Sequence, residues 1–305
     1  MNSGTAPAPW LLLGAATPSG AAFLDGLGPV AVELLGRRPP QPLLAAAGRR
    51  FRPCDLQQPR SFEGDLSGLL VSFAPIWDLA PFLAALAQDR PHALQGLRGV
   101  VACSSSSVIS KRFAANRDDR ELVRRLGAAE DLLLDTCTAL ARPARILRPT
   151  LIYGSAGGYH DRNLSRLLHL MRRLPLLPVP RPAGLRQPIH CRQLAAVAQA
   201  QARALPATVT SPLPPLAVGG DDTLSYATLL RRLQSASPPG DPARRCWLLP
   251  VPARAFFCRA APLLALAPRR FEAVLRMGAD LAGFPSAHHL SGHDAETFPM
   301  LPLAR

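Results

Sequence analysis

The chain has 305 residues, a formal net charge of +14, and 48% hydrophobic against 18% charged residues, which fits a soluble globular protein of about two domains, or one large α/β unit with an appendage. Six cysteines without a C-x-x-C pair exclude a zinc knuckle or disulfide framework, and the longest apolar stretch, Leu69 to Ala87, holds Asp78, Pro75 and Pro81, which excludes a membrane span. The positive charge is almost all arginine, Lys111 being the only lysine, and the few aromatics do not interleave with it, so an anionic small molecule is expected as partner and nucleic acid is not.

The N-terminus lacks the basic region of a secretory signal, and its apolar run from Trp10 is interrupted by Gly14, Thr17 and Pro18, so a reducing, cytoplasmic setting is expected. Short apolar runs then alternate with helical patterns, the signature of βαβ units and a parallel sheet. Strands are predicted at Trp10 to Gly14, Val30 to Leu35, Gly68 to Ser72, Gly99 to Cys103 and Arg145 to Ile152. A helix is predicted from Arg120 to about Ala141, with Leu122, Leu126, Ala129, Leu133, Cys137 and Leu140 on one face and Pro143 ending it. On this helix Glu130 and Asp131 are read as solvated. A second helix begins near Asp161, carries Leu164, Leu167, Leu168 and Met171, and stops before Pro175. Proline-rich connections at 175–188, 206–215 and 237–252 then separate shorter helices, too irregular for a second doubly wound sheet.

The first strand runs straight into Gly14-Ala-Ala-Thr17-Pro18-Ser19-Gly20 and a helical segment. A pyrophosphate needs glycines for the turn, for close approach of backbone to phosphate, and for packing of helix on strand. Gly14 and Gly20 occupy the first and third places, and Thr17 replaces the middle one. Thr17 is expected to cap the helix with Pro18 at its first position, aiming free N–H groups and a hydroxyl at an anion, the alternative being that it crowds the phosphates out. The second strand ends in Arg37 and Arg38, where an NAD site usually has an acidic residue, so NADP is expected over NAD. The alternative for both arginines is a solvated strand end.

Four blocks, in order, resemble the NAD-dependent epimerase/dehydratase family, the extended short-chain dehydrogenases: the Gly14 to Gly20 turn, Val100 to Ser106 at a strand end, Leu147 to Gly154 with its R-P-T-x-I-Y-G core, and Arg186 to His190. Leu216 to Gly220, followed by Thr223 to Ser225, looks like the family's late strand and next helix. The resemblance spans roughly residues 8–235. It implies an α/β fold, a Rossmann-type doubly wound parallel sheet with a smaller, mainly helical C-terminal part. Residues 1–160 would form the NAD(P)-binding domain and 161–305 the C-terminal part, with 186–205 packing back on the first. It further implies that Asp55 and Leu56 lie near the adenine, that Ala74 and Pro75 line the cofactor cleft, and that Pro149 and Thr150 lie near the nicotinamide. Asn163 and Arg186 stand where relatives that use nucleotide sugars contact the diphosphate.

Family enzymes use Tyr-x-x-x-Lys on the helix after the serine-rich strand end, the lysine lowering the tyrosine pKa for proton exchange. None of Tyr153, Tyr159 or Tyr226 has a lysine four residues on, and Leu122 and Leu126 fall where the pair would stand. Ser105 and Ser106 remain candidates for the substrate-oxygen site, their alternative being caps of local backbone. Lys111 is the remaining basic candidate, and Ser107 with Lys111 makes an S-x-x-x-K pair better read as an exposed lysine. Gln193 replaces the Asp often found three residues after the family's His position. His288, His289 and His293 are read as a polar C-terminal loop rather than a metal site, for want of a firm helix or an acidic partner.

Two functions follow as expectations. One is an atypical NAD(P)-binding oxidoreductase or epimerase acting on a phosphorylated or nucleotide-linked small molecule. The other is a non-catalytic NADP(H)-binding assembly, regulatory or redox-sensing subunit, with a protein partner or a homodimer.

Overall fold

A computed structural model describes residues 9–301 except 45, 113, 115, 208–210 and 263–273. Seven parallel strands form the central sheet: β1 (Trp10–Leu13), β2 (Val32–Gly36), β3 (Arg49–Pro53), β4 (Gly68–Ser72), β5 (Leu97–Cys103), β6 (Ala144–Pro149) and β7 (Leu216–Val218). Their spatial order is β7-β6-β5-β4-β1-β2-β3. Strand order reverses between β1 and β4, which pair in register with Leu13 beside Ser72. In doubly wound sheets the carboxyl end of such a reversal is where the crevice opens.

Both faces of the sheet are covered, as all-parallel sheets require. On one side lie α2 (Ile76–Asp89) and α3 (Arg117–Ala139), which bury Phe82, Leu83, Leu126 and Leu133 against Leu11, Leu70 and Val100. On the other lie α1 (Pro18–Leu27) and α5 (Cys191–Arg203), with Phe23, Leu24, Leu194 and Val197 against Leu12, Leu34 and Val101. The helix α4 (Asn163–Arg173) packs with α6 (Tyr226–Ala236) in a third core of Tyr153, Leu164, Leu168, Leu229 and Leu233. Small strand pairs tie this part together, chiefly Leu176–Arg181 with Trp247–Pro252. Among the described residues no helix is long and apolar enough to cross a membrane.

Several elements differ from expectation for identifiable reasons. The segment predicted as one strand from Arg145 to Ile152 divides at Thr150: β6 ends at Pro149, which lacks a ladder donor, and Ile152–Tyr153 pairs separately with Ile189–His190. The long helix starts at Arg117, three residues early, because the Asn116 side chain accepts from the Asp119 N–H at 2.8 Å and caps it. Glu130 is not solvated. It is 1% exposed, and Arg148 on β6 reaches both its carboxylate oxygens.

Candidate functional site

The turn after β1 is built by local chemistry. Gly14 has φ +79°, and a Cβ there would stand 2.7 Å from the carbonyl carbon of Phe73, so only glycine lets β1 and the loop after β4 approach this closely. A Cβ on Gly20 would stand 2.2 Å from the Gly14 carbonyl oxygen, so the first turn of α1 rests directly on the turn. Thr17 caps α1: its hydroxyl accepts from the Gly20 N–H at 3.0 Å and donates to the Gly14 carbonyl at 2.7 Å, with Pro18 at the first helical position. The hydroxyl is thus spent on the turn and is not aimed at an anion, a correction to the expected role.

A cleft of about 910 Å³ opens at the strand-order reversal, at the carboxyl ends of four strands. Gly14 and Thr17 line it after β1, Arg37 and Arg38 after β2, Asp55 and Leu56 after β3, and Ala74 and Pro75 after β4. Eight residues singled out in the sequence therefore share one cavity. Sequence reasoning passed over Cys54, Gln57, Phe73 and Asp78, which also line it and whose only signal is adjacency to a strand end or helix start. Burial pushes the Cys54 thiol up to about 12, so it stays a protonated, apolar wall. The cation pair of Arg37 and Arg38, the positive end of α1 and the glycine cradle form a donor set that suits a dinucleotide phosphate.

The remaining sequence candidates stand elsewhere and are held by the protein itself. Pro149 and Thr150 are not among the cleft-lining residues, and the Thr150 hydroxyl donates to the Gln187 carbonyl. The Ser105 hydroxyl accepts from the Ser107 N–H at 3.1 Å, and the Ser106 N–H donates to the Pro149 carbonyl at 3.0 Å. Lys111 is not an exposed lysine: its Nζ lies 2.7 Å from Asp119 Oδ1, and its side chain is 16% exposed. Burial works to raise the Asp119 carboxyl, but hydrogen bonds from Lys111 and Asn116 and the charge of Arg276 outweigh it and hold it below its usual value. Arg186 is buried, and its guanidinium donates to the carbonyls of Leu185, Ala279 and Arg276. Asn163 starts α4, with its N–H on Asp161 at 2.9 Å. Leu126 is 2% exposed in the core and Leu122 packs against the same cluster.

Of the C-terminal histidines, His288 and His289 lie on a short helix and His288 meets an acid, while His293 stands in the exposed loop beyond it. Ala287–Ser291 is helical, and His288 Nδ1 lies 3.0 Å from Asp221 Oδ1. Asp221 also accepts from the Gln193 side chain at 2.7 Å and from the Glu296 N–H at 3.0 Å, so Gln193 serves as a structural donor. No metal-binding group of three ligands occurs among the described residues.

No protein-family model matches the chain, and no curated protein matches it. Solved structures do match its fold. A UDP-glucuronic acid 4-epimerase from Bacillus cereus in complex with NAD aligns with TM-score 0.60 and 13% identity, over 95% of this chain and 94% of that one. The human epimerase family protein SDR39U1 with NADPH aligns at 0.60 and 16%, over 96% of each chain. An NADPH-dependent quinone oxidoreductase from Escherichia coli aligns at 0.58 and 15%, over 94% and 96%.

Proposed function

Starting from a chain with the Rossmann-type fold of NAD-dependent epimerases and dehydratases, we propose that it binds a nicotinamide dinucleotide in the cleft at the β1 and β4 strand ends. NADP(H) is proposed over NAD(H). The observation that carries this reading is the convergence of Gly14, Arg37, Arg38, Asp55 and Ala74 from four strand ends on one cavity. Backbone N–H groups at the start of α1 take the pyrophosphate, and Arg37 and Arg38 meet a 2′-phosphate. Bound there, the nicotinamide supplies hydride transfer.

The proposed activity is an atypical oxidoreductase or epimerase acting on an anionic small molecule, nucleotide-linked or phosphorylated. Without Tyr-x-x-x-Lys, the chain suits best an acceptor whose reduced form is a stabilised anion, because such a product takes its proton from water rather than from a tuned side chain. Ser105 and Ser106, at the end of β5, would hold the reacting oxygen. A second reading, a non-catalytic NADP(H)-binding regulatory or redox-sensing subunit, is favoured by the engagement of Lys111 with Asp119 and by the packing of Leu122 and Leu126.

Titration with NADPH and NADH, followed by nucleotide fluorescence and thermal unfolding, tests the binding. Stabilisation should reach about 2.7 kcal/mol at a hundredfold excess over Kd, and larger for NADPH at equal concentration. Failure of both nucleotides to bind overturns the proposal. NADPH consumption with quinone and nucleotide-linked acceptors then separates the two readings.

A further inference from the structure

Charge is distributed unevenly along the chain. Residues 162–220 contain eight arginines and neither Asp nor Glu, and residues 242–271 contain six more, again with no acidic residue. The fold joins the two runs. Leu176–Arg181 pairs in parallel with Trp247–Pro252, and Arg172 Nη2, 2.8 Å from Asp241 Oδ2, fastens the turn Pro242–Arg245 to α4. Asp241, the acidic residue bordering the second run, is thereby neutralised and covered.

The helix α4 is divided sharply into two faces. Leu164, Leu168 and Met171 are buried, whereas Arg166, His169, Leu170 and Arg173 are exposed. At about 100° per residue these four, with the preceding Arg162, fall within an arc of about 100°. Beside the end of the helix the Trp247 N–H donates to the Pro175 carbonyl at 2.8 Å. Trp247 is 61% exposed, Leu170 39% and Leu174 37%, and Arg244 and Arg245 are exposed just before Trp247.

We infer that this surface docks on an anionic lipid bilayer, arginines on the headgroup phosphates and Trp247, Leu170 and Leu174 in the layer beneath. Two arginine runs without an acidic residue, held side by side, suit an anionic partner, and basic residues beside a membrane are drawn to anionic headgroups. Exposed Trp and Leu among those arginines suit a partner with apolar material directly under its charged layer, which is the composition of a bilayer interface. Nucleic acid would satisfy the arginines and stack on Trp247 but leave both leucines in water. Pro178, Pro180, Pro250 and Pro252 withhold donors from the two-stranded sheet, which opposes addition of a partner's strand. The inference is independent of the cofactor reading.

Flotation of the full chain with vesicles tests it. Binding is expected to phosphatidylcholine vesicles containing phosphatidylglycerol, to weaken with salt, and to be absent with phosphatidylcholine alone. Trp emission should shift to the blue on binding, and W247F should lose most of that shift. The triple variant R166E/R173E/R245E, whose changes are all at exposed positions, should unfold at the wild-type temperature and bind at least about 100-fold more weakly. Equal binding to neutral vesicles overturns the inference, as does a triple variant that binds like wild type. Binding of duplex DNA or RNA without binding of anionic vesicles overturns it in favour of a nucleic-acid surface.

Discussion

Glu130 and Arg148 meet edge to edge beneath the end of β5: Arg148 Nε lies 3.1 and 3.0 Å from the two carboxylate oxygens of Glu130, and Ser104 donates its hydroxyl to the same group. The Glu130 side chain is 2% exposed and that of Arg148 21%. The pair thus fixes the strand end that carries Ser105 and Ser106 against α3.

Removing one partner should cost far more than removing both. Arg148→Leu strands a buried carboxylate and is expected to lower stability by about 3–5 kcal/mol. Glu130→Leu/Arg148→Leu should recover most of that loss. Urea unfolding of the two variants beside wild type measures the difference.

Glycine substitutions should separate the turn from the rest of the fold. Gly20→Ala places a methyl group against the Gly14 carbonyl oxygen, so stability and dinucleotide binding should both fall. Gly127→Ala, in the middle of α3 with nothing within 4 Å of its added carbon, should raise stability by about 0.5–1 kcal/mol. Thermal unfolding and NADPH titration of both variants check this.

Cofactor preference should follow the second strand end. Arg37→Ser/Arg38→Ser removes charge-assisted contacts to a 2′-phosphate, so NADPH affinity should fall about 10- to 100-fold while NADH affinity stays within about twofold. Fluorescence titration with each nucleotide reads it.

His190 makes stability depend on pH. Burial, with the charge of Arg192, lowers its pKa from 6.5 to about 4, and its Nδ1 accepts from the Arg192 N–H at 3.3 Å to cap α5. Above pH about 6.5 the ring is neutral in both folded and unfolded chains and costs nothing. As pH falls towards about 4 the unfolded chain takes up the proton first, and about 3 kcal/mol of stability should be lost across that window. His190→Asn keeps a capping acceptor and should flatten this part of the profile. Urea unfolding of both proteins at several pH values checks the sign.

The Gly14 to Gly20 turn and five of the sheet strands were legible because their chemistry is local: glycines at the turn and apolar runs between Gly, Pro and Ser. The strand β3 was not, because Arg49-Arg50-Phe51-Arg52-Pro53 shows no buried strand's apolar run. Glu130 lies on the apolar stripe itself, four residues after Leu126 and three before Leu133, and its burial depends on Arg148 from another element. The same holds for Asp221 and His288, 67 residues apart in sequence. Spacing within one segment reports its periodicity; it does not report which distant side chain arrives to neutralise a charge.

The two outer strands of the sheet have a bearing on how copies of this chain meet one another. An open parallel sheet offers unsatisfied backbone along both sides to any passing strand. Here one side is β3, which carries Arg49, Arg50 and Arg52, and the other is β7, only three residues long and preceded by Pro214 and Pro215. Arg52 is paired with Glu33 and Arg49 donates to the Leu43 carbonyl, so two molecules approaching side by side at β3 would bring together chiefly the exposed Arg50 of each, and at β7 would find too few backbone groups to zip. Both edges of the sheet therefore oppose addition of a strand from a second copy.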